Sequence, residues 1–196
     1  MVKGNLALKE FKSLILSIIL AFFIVTLLNT KVFAMVQVQQ SSMEDTLYSG
    51  DRMFVDKITY SFNEPKRGDI IIFLEDDVKE KFVDDIKIFF KDIFNSENVS
   101  KRMVKRVIAL PGDEIDIKDR SVYINDEKIS EDYIKGDTLK RELNLPTKVP
   151  EGKLFVLGDN REKSRDSRNF GFIDLKSVEG KARLRVWPFN KVSLLK

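Results

Sequence analysis

Val104-Lys105-Arg106-Val107-Ile108-Ala109-Leu110-Pro111-Gly112-Asp113 is the stretch on which the fold turns. Its apolar run is of strand length, rich in β-branched residues, and stops at a Pro-Gly-Asp turn signal. In a strand, Lys105 and Arg106 point to opposite faces. One cation therefore enters whatever lies on one side of the sheet, while the other reaches solvent or a carboxylate. The same punctuation recurs along the chain. Five of the nine glycines precede Asp, at Gly50, Gly68, Gly112, Gly136 and Gly158. Gly-Asp supplies positive φ and a local side-chain cap. Between these turns lie Met53-Phe54-Val55, Ile70-Ile71-Ile72-Phe73, Val122-Tyr123-Ile124, Leu154-Phe155-Val156-Leu157 and the alternating Ala182 to Val186. Asp119-Arg120 and Asn125-Asp126 read as hairpin corners. The pattern predicts a mainly β domain.

One segment breaks the pattern. Among acids and lysines from Asp76 to about Asn95, Phe82, Ile86, Phe89, Phe90, Ile93 and Phe94 recur at helical spacing. A helical insertion over 76–100 is expected. It either packs its apolar face on the domain or lies in a membrane interface; Asp76, Asp77, Glu80, Asp84, Asp85 and Asp92 weigh against the interface. Asn98-Val99-Ser100 matches a glycosylation sequon, and Arg67-Gly68-Asp69 reads as a turn into a strand.

Upstream, Ser13 to Thr30 carries no charge. As a helix it would measure about 27 Å, a short but adequate membrane span. Lys3, Lys9 and Lys12 precede it and Lys31 follows, which places the N-terminus in the cytoplasm and the rest outside. The expected division is a cytoplasmic 1–12, an anchor over 13–31 and an extracytoplasmic catalytic domain over 35–196. The competing reading is a cleaved signal peptide, with Val32-Phe33-Ala34 as its cleavage site, but the apolar core is longer than such peptides use.

Composition narrows the chemistry. The 196 residues include neither His nor Cys. Disulfides, thiolate chemistry and the usual zinc or copper ligands are excluded, and neither metal nor cofactor is expected. A net charge of +3, with both signs dispersed, gives no nucleic-acid footprint. A nucleophilic hydroxyl here needs a lysine or a carboxylate as its base. Ser42, in Gln39-Gln40-Ser41-Ser42-Met43 just beyond the apolar span, is the candidate nucleophile. A lysine is a base only when neutral, and lowering its pKa to about 8 takes roughly 3.3 kcal/mol of bias against the ammonium form, which burial supplies. Lys105, in an apolar, buried-looking strand closed by a turn, fits that need better than Lys57 or Lys101 in their polar settings. A third constellation runs from Gly158 to Arg168, polar except for its glycine, between the apolar runs 154–157 and 170–173. Its Asp159, Arg161, Asp166 and Arg168 could pair internally, and Ser164 or Ser167 could donate to a neutral amine.

In order, Ser42-Met43-Glu44-Asp45-Thr46-Leu47 with Gly50-Asp51, Arg67-Gly68-Asp69-Ile70, Lys105-Arg106-Val107-Ile108 with Pro111-Gly112-Asp113, and Gly158-Asp159-Asn160-Arg161 through Arg168 and Gly171 resemble the blocks of the bacterial type I signal peptidases. The likeness covers nearly the whole chain. It implies the β domain those enzymes share with the SOS-repressor autoproteases, behind one transmembrane helix, and a membrane-anchored serine protease that removes signal peptides after small residues. It implies Ser42 as nucleophile, Lys105 as general base, Ser164 as the serine that bonds the lysine amine, and Asp159, Arg161, Asp166 and Arg168 as support. Val38, Met43 and Val104 are expected to wall shallow apolar subsites for Ala-x-Ala-like sequences. Expected partners are secretory preproteins and the lipid bilayer, with no nucleic acid and no obligate protein partner. Two positions depart from the family: Asp45 stands where members usually carry Pro, and Gln40 where many carry the serine of the oxyanion hole. A self-cleaving Ser-Lys protease and a degenerate membrane-tethered binding domain remain as alternatives.

Overall fold

The computed structural model describes residues 2–75, 84–94 and 100–195. Asp76, Asp77, Glu80, Phe82 and the Asn98-Val99 part of the sequon lie outside them. The chain opens with helix α1, Val2–Lys31. Within it Lys9–Leu28 is long and apolar enough to cross a membrane and is almost wholly exposed. Thr26 and Thr30, near its C-terminal end, are buried, and the Thr30 hydroxyl donates to the Thr26 carbonyl at 2.9 Å.

Twelve strands follow among the described residues. They are β1 (Phe33–Gln37), β2 (Arg52–Asp56), β3 (Ile70–Leu74), β4 (Arg102–Ala109), β5 (Glu114–Lys118), β6 (Ser121–Ile124), β7 (Glu127–Lys128), β8 (Thr147–Lys148), β9 (Lys153–Leu157), β10 (Ile173–Asp174), β11 (Val178–Trp187) and β12 (Ser193–Leu194). Short helices α2 (Thr59–Phe62), α3 (Asp84–Phe94) and α4 (Ser167–Phe170) interrupt them. All pairings between strands are antiparallel. The large sheet has the order β1-β2-β11-β3-β4-β9-β10, with β12 also on β11; the small one is β7-β6-β5-β8.

Side-chain patterns explain this arrangement. Strand β3 is buried at every residue because the large sheet is covered on both faces there. Ile70 and Ile72 join a cluster with Met43, Leu47, Met53 and Val55, while Ile71 and Phe73 join Val107, Leu154 and Val156. Strands β5 and β6 alternate, sending Ile115, Ile117, Val122 and Ile124 against Ile108, Phe155 and Leu157 of the large sheet. Each such side chain contributes about 1.5–3 kcal/mol on burial. The hairpin corners are Asp119-Arg120 and Asn125-Asp126, where all four residues have φ between 51° and 65°. That turn type matches the right-handed twist of the strands it joins. Strand β4 ends because Gly112 takes φ 86° and Asp113 turns back, its carboxylate accepting the Leu110 N–H at 2.8 Å.

Among the strand edges left unpaired in the described residues, those of β1 and β4 flank the turn between β1 and β2. Strand β1 is the end of the large sheet and bonds only to β2. Strand β4 pairs with β3 along Arg102–Arg106, but with β9 only over Arg106–Ala109. The outer side of residues 102–105 is therefore open.

Candidate active site

Ser42 sits in a 3₁₀ turn, Ser41–Met43, between β1 and β2. Met43 and Leu47 plug the turn into the core, and the Met43 carbonyl accepts from the Thr46 and Leu47 N–H groups at 2.9 and 2.7 Å. From the other side Asn160 donates its backbone N–H to the Ser42 carbonyl at 3.1 Å and its side-chain amide to the Ser41 carbonyl at 3.2 Å. The nucleophile candidate is thus fixed by apolar packing below and a hydrogen-bonded loop above.

Lys105, paired with Ile71 in β4, projects its amine to the same place. Its Nζ lies 2.7 Å from Ser42 Oγ and donates to the Val104 carbonyl at 3.2 Å. The residue is 1% exposed. Burial pushes the Lys105 amine down from 10.5 to about 8, against the opposing pull of Asp166, Asp159 and Glu75, and with help from Arg165. At that value about one amine in ten is neutral at pH 7, against one in several thousand for a free lysine.

Arg106, the neighbour on the opposite face, is equally buried. Its guanidinium forks onto Asp159 at 2.9 and 2.7 Å, donates to the Gly68 carbonyl at 2.9 Å, and stacks 3.9 Å from the Tyr133 ring centre. Thr46 donates to the same Asp159 carboxylate at 2.5 Å.

The segment after β9 has the composition of a solvated loop, yet Asp159, Asn160, Arg161, Ser164, Asp166, Ser167 and Arg168 are all buried. Only one of the expected internal pairs forms. Arg168 forks onto Asp166, both contacts 2.9 Å. Asp159 instead takes Arg106, and Arg161 forks onto Glu131 at 3.1 and 2.6 Å and donates to Thr138 at 2.6 Å. Arg141 closes the loop from outside, donating to the Ser164, Arg161 and Glu162 carbonyls at 2.7–3.2 Å. Burial alone would raise the Asp166 carboxyl; Arg168, Ser164 and the Gly158 N–H together outweigh it and hold the group below its ordinary range. Buried ion pairs of this kind persist only with fork geometry and further hydrogen bonds.

Ser164 reaches the site without bonding the amine. Its buried hydroxyl makes no hydrogen bond of good geometry, although it lies near enough to Asp166 to favour the ionised carboxyl. It faces Gly158, where a Cβ would overlap both Ser164 Oγ and the Ser42 carbonyl. The lysine amine donates to the Val104 carbonyl where the resemblance implies a bond with Ser164.

An open cleft of about 530 Å³ adjoins the pair, lined by Val36 to Gln40, Ser42, Met43, Glu75, Ser100 to Val104 and Arg165. Val38, Met43 and Val104 all lie on its wall, and Gln40 is exposed on its rim. The open edges of β1 and β4 thus border one cleft. Arg165 and Glu75 form an ion pair beside it. Among the described residues no group of three or more acidic side chains is arranged to hold a metal ion.

Sequence reasoning missed Glu131, Thr138, Arg141 and Tyr133. They come from the irregular stretch between β7 and β8, whose polar residues carry no periodicity. The one usable signal was Arg106, a second charge inside an apolar strand, which demands a buried carboxylate somewhere.

Fold and site together define a class: an antiparallel β domain behind an apolar helix, presenting a serine hydroxyl to a buried lysine amine beside an open cleft. The particular family follows from comparison. Residues 11–187 match the signal peptidase family, peptidase S26, and the chain belongs to that family. A signal peptidase I of Bacillus licheniformis is 38% identical, over 97% of this chain and 94% of its own. A probable signal peptidase I-2 of Synechocystis sp. is 33% identical, over 94% and 75%. A crystal structure of a signal peptidase I from Enterococcus faecalis V583 is 34% identical, covers 61% of this chain and 97% of its own, and superposes with a TM-score of 0.42.

Proposed function

We propose that this chain is a membrane-anchored serine endopeptidase that removes signal peptides from secretory preproteins through Ser42 and Lys105. The observation that carries the proposal is the 2.7 Å approach of Lys105 Nζ to Ser42 Oγ in a protein without histidine or cysteine. Neutral Lys105 takes the Ser42 proton as Oγ attacks the scissile carbonyl. The oxyanion that forms is met by the Ser42 N–H, with the Gln40 amide as the second donor. Lys105, now an ammonium, protonates the leaving amine, and water then releases the acyl group by the same route.

The substrate enters as an extended strand between the open edges of β1 and β4, with backbone hydrogen bonds giving affinity and the side-chain pockets giving selectivity. Val38, Met43 and Val104 wall pockets too shallow for large side chains, which favours cleavage after Ala-x-Ala-like sequences. Residues 13–31 form the anchor, held N-terminus inward by Lys3, Lys9 and Lys12, and the β domain over 35–196 works outside. Phosphatidylglycerol-containing vesicles carrying the full chain and a secretory precursor test this. Wild type is expected to release the mature protein, and Ser42→Ala and Lys105→Met to reduce release at least about a thousandfold. Undiminished processing by either variant overturns the dyad.

A further inference from the structure

Arg102 opens β4 at the rim of the cleft and is held from two sides. Its Nε and one terminal nitrogen fork onto Glu179 of β11 at 2.7 and 3.3 Å. Its other terminal nitrogen donates to Asp92 Oδ2 at 2.7 Å and to the Ser100 carbonyl at 3.3 Å. The second oxygen of Asp92 accepts the backbone N–H of Ser100 at 2.9 Å. One carboxylate thus grips both ends of the short segment Ser100–Arg102. Burial alone would raise Asp92, and these two donors hold it below the ordinary carboxylate range.

Asp92 belongs to α3, which packs against α1. What Asp92 grips is the outer end of Ser100–Val104, the open edge that lines the cleft. A strand edge offers a peptide evenly spaced donors and acceptors only while its own backbone stays extended. Strand β3 backs this edge from Arg106 out to Arg102, and the Glu75 N–H donates to the Lys101 carbonyl at 3.0 Å; beyond that register Asp92 holds the Ser100 backbone and, with Glu179, the Arg102 side chain.

We propose that Asp92 is a positioning residue for substrate binding: through Ser100 and Arg102 it holds the Ser100–Val104 edge in the extended form that pairs with the signal peptide. The proposal rests on the peptidase reading of the site. It assigns α3 a role in affinity and none in the chemistry of the dyad.

The test uses the full chain in detergent micelles and a synthetic peptide carrying an Ala-x-Ala site. Asp92→Asn keeps the volume of the side chain while removing its charge. KM is expected to rise about five- to tenfold, as for the loss of charge-assisted hydrogen bonds, with kcat within twofold and an unchanged pH profile. Arg102→Ala should give a similar rise, and the double variant no more than the larger single effect. Backbone amide exchange should quicken at 100–104 and stay unchanged at Ser42 and in β9. An unchanged KM, a fall in kcat at constant KM, or exchange that quickens uniformly across the domain overturns the proposal. Failure of the peptidase reading looks different: wild type and Ser42→Ala then process the peptide alike.

Discussion

Replacing Lys105 with Met should leave a signature in stability that is separate from lost activity. In the folded chain the amine titrates near 8, and in the unfolded chain near its ordinary 10.5. Between those values the unfolded chain holds a proton that the folded one does not, so stability rises with pH across that window. Below it both states are protonated and above it neither is. The full swing is the difference of about 2.5 pH units at about 1.36 kcal/mol each, or about 3 kcal/mol. Between pH 7 and pH 9 the share is about 1.4 kcal/mol. Met fills similar volume and has no proton to exchange, so the variant lacks this rise. It also loses the bond to Ser42, and whatever that bond gains or loses as the amine titrates is already contained in the pKa difference. Urea unfolding of the full chain in micelles, followed by the fluorescence of its single tryptophan, Trp187, measures both proteins. The advantage of Lys105→Met over wild type should shrink by about 1.4 kcal/mol from pH 7 to pH 9. Parallel curves would mean that the folded amine keeps an ordinary pKa, and a lysine so strongly protonated at neutral pH is no base for Ser42.

Kinetics should report the same amine. With chemistry rate-limiting, kcat/KM for a peptide substrate should climb nearly tenfold per pH unit below about 8, where Lys105 titrates, and level off above it; a profile flat from pH 6 to 9 counts against the lysine. Gly158→Ala tests how the loop presses on Ser42. The added methyl meets the Ser164 side chain and the Ser42 backbone. Overpacking of this kind costs about 1–3 kcal/mol, and the displaced Ser42 should lower kcat more than it raises KM. A melting temperature and turnover equal to wild type would show that the loop yields freely there.

Much of this architecture is written in local signals. Strands β2, β3, β4, β6, β9 and β11 follow from β-branched runs between Gly-Asp turns. The absence of histidine and cysteine narrows the base for a hydroxyl to a lysine or a carboxylate, and the resemblance to the type I signal peptidases is what singles out Ser42 and Lys105. Strand β1 escaped notice since it leaves α1 with no turn residue between them, and its sequence Phe33-Ala34-Met35-Val36-Gln37 barely alternates. The loop 158–168 was half legible. Its charges implied pairing, but partner choice is a long-range matter: Arg106 and Asp159 are 53 residues apart. Arg161 and Glu131 come together only because the stretch after β7 folds back across the loop, with Lys135 bridging Asn160. No periodicity encodes that return.

The pairing pattern bears directly on the chemistry. A lysine loses its proton at neutral pH only if burial outweighs every nearby negative charge, and Asp166 and Asp159 both lie close enough to Lys105 to oppose it. Left bare, two buried carboxylates would restore the ammonium form. Each is instead forked by its own arginine, Asp166 by Arg168 and Asp159 by Arg106. The positive charges oppose the carboxylates' field and keep the hydrogen bonds that shape the loop, while Arg165 adds to the bias against the ammonium form. Burial then remains the largest influence on Lys105. Fully buried arginines are costly, and a core of this size has little need of them for stability alone. Their placement makes sense as the means by which a rigid polar loop is brought against Ser42 without recharging the Lys105 amine beside it.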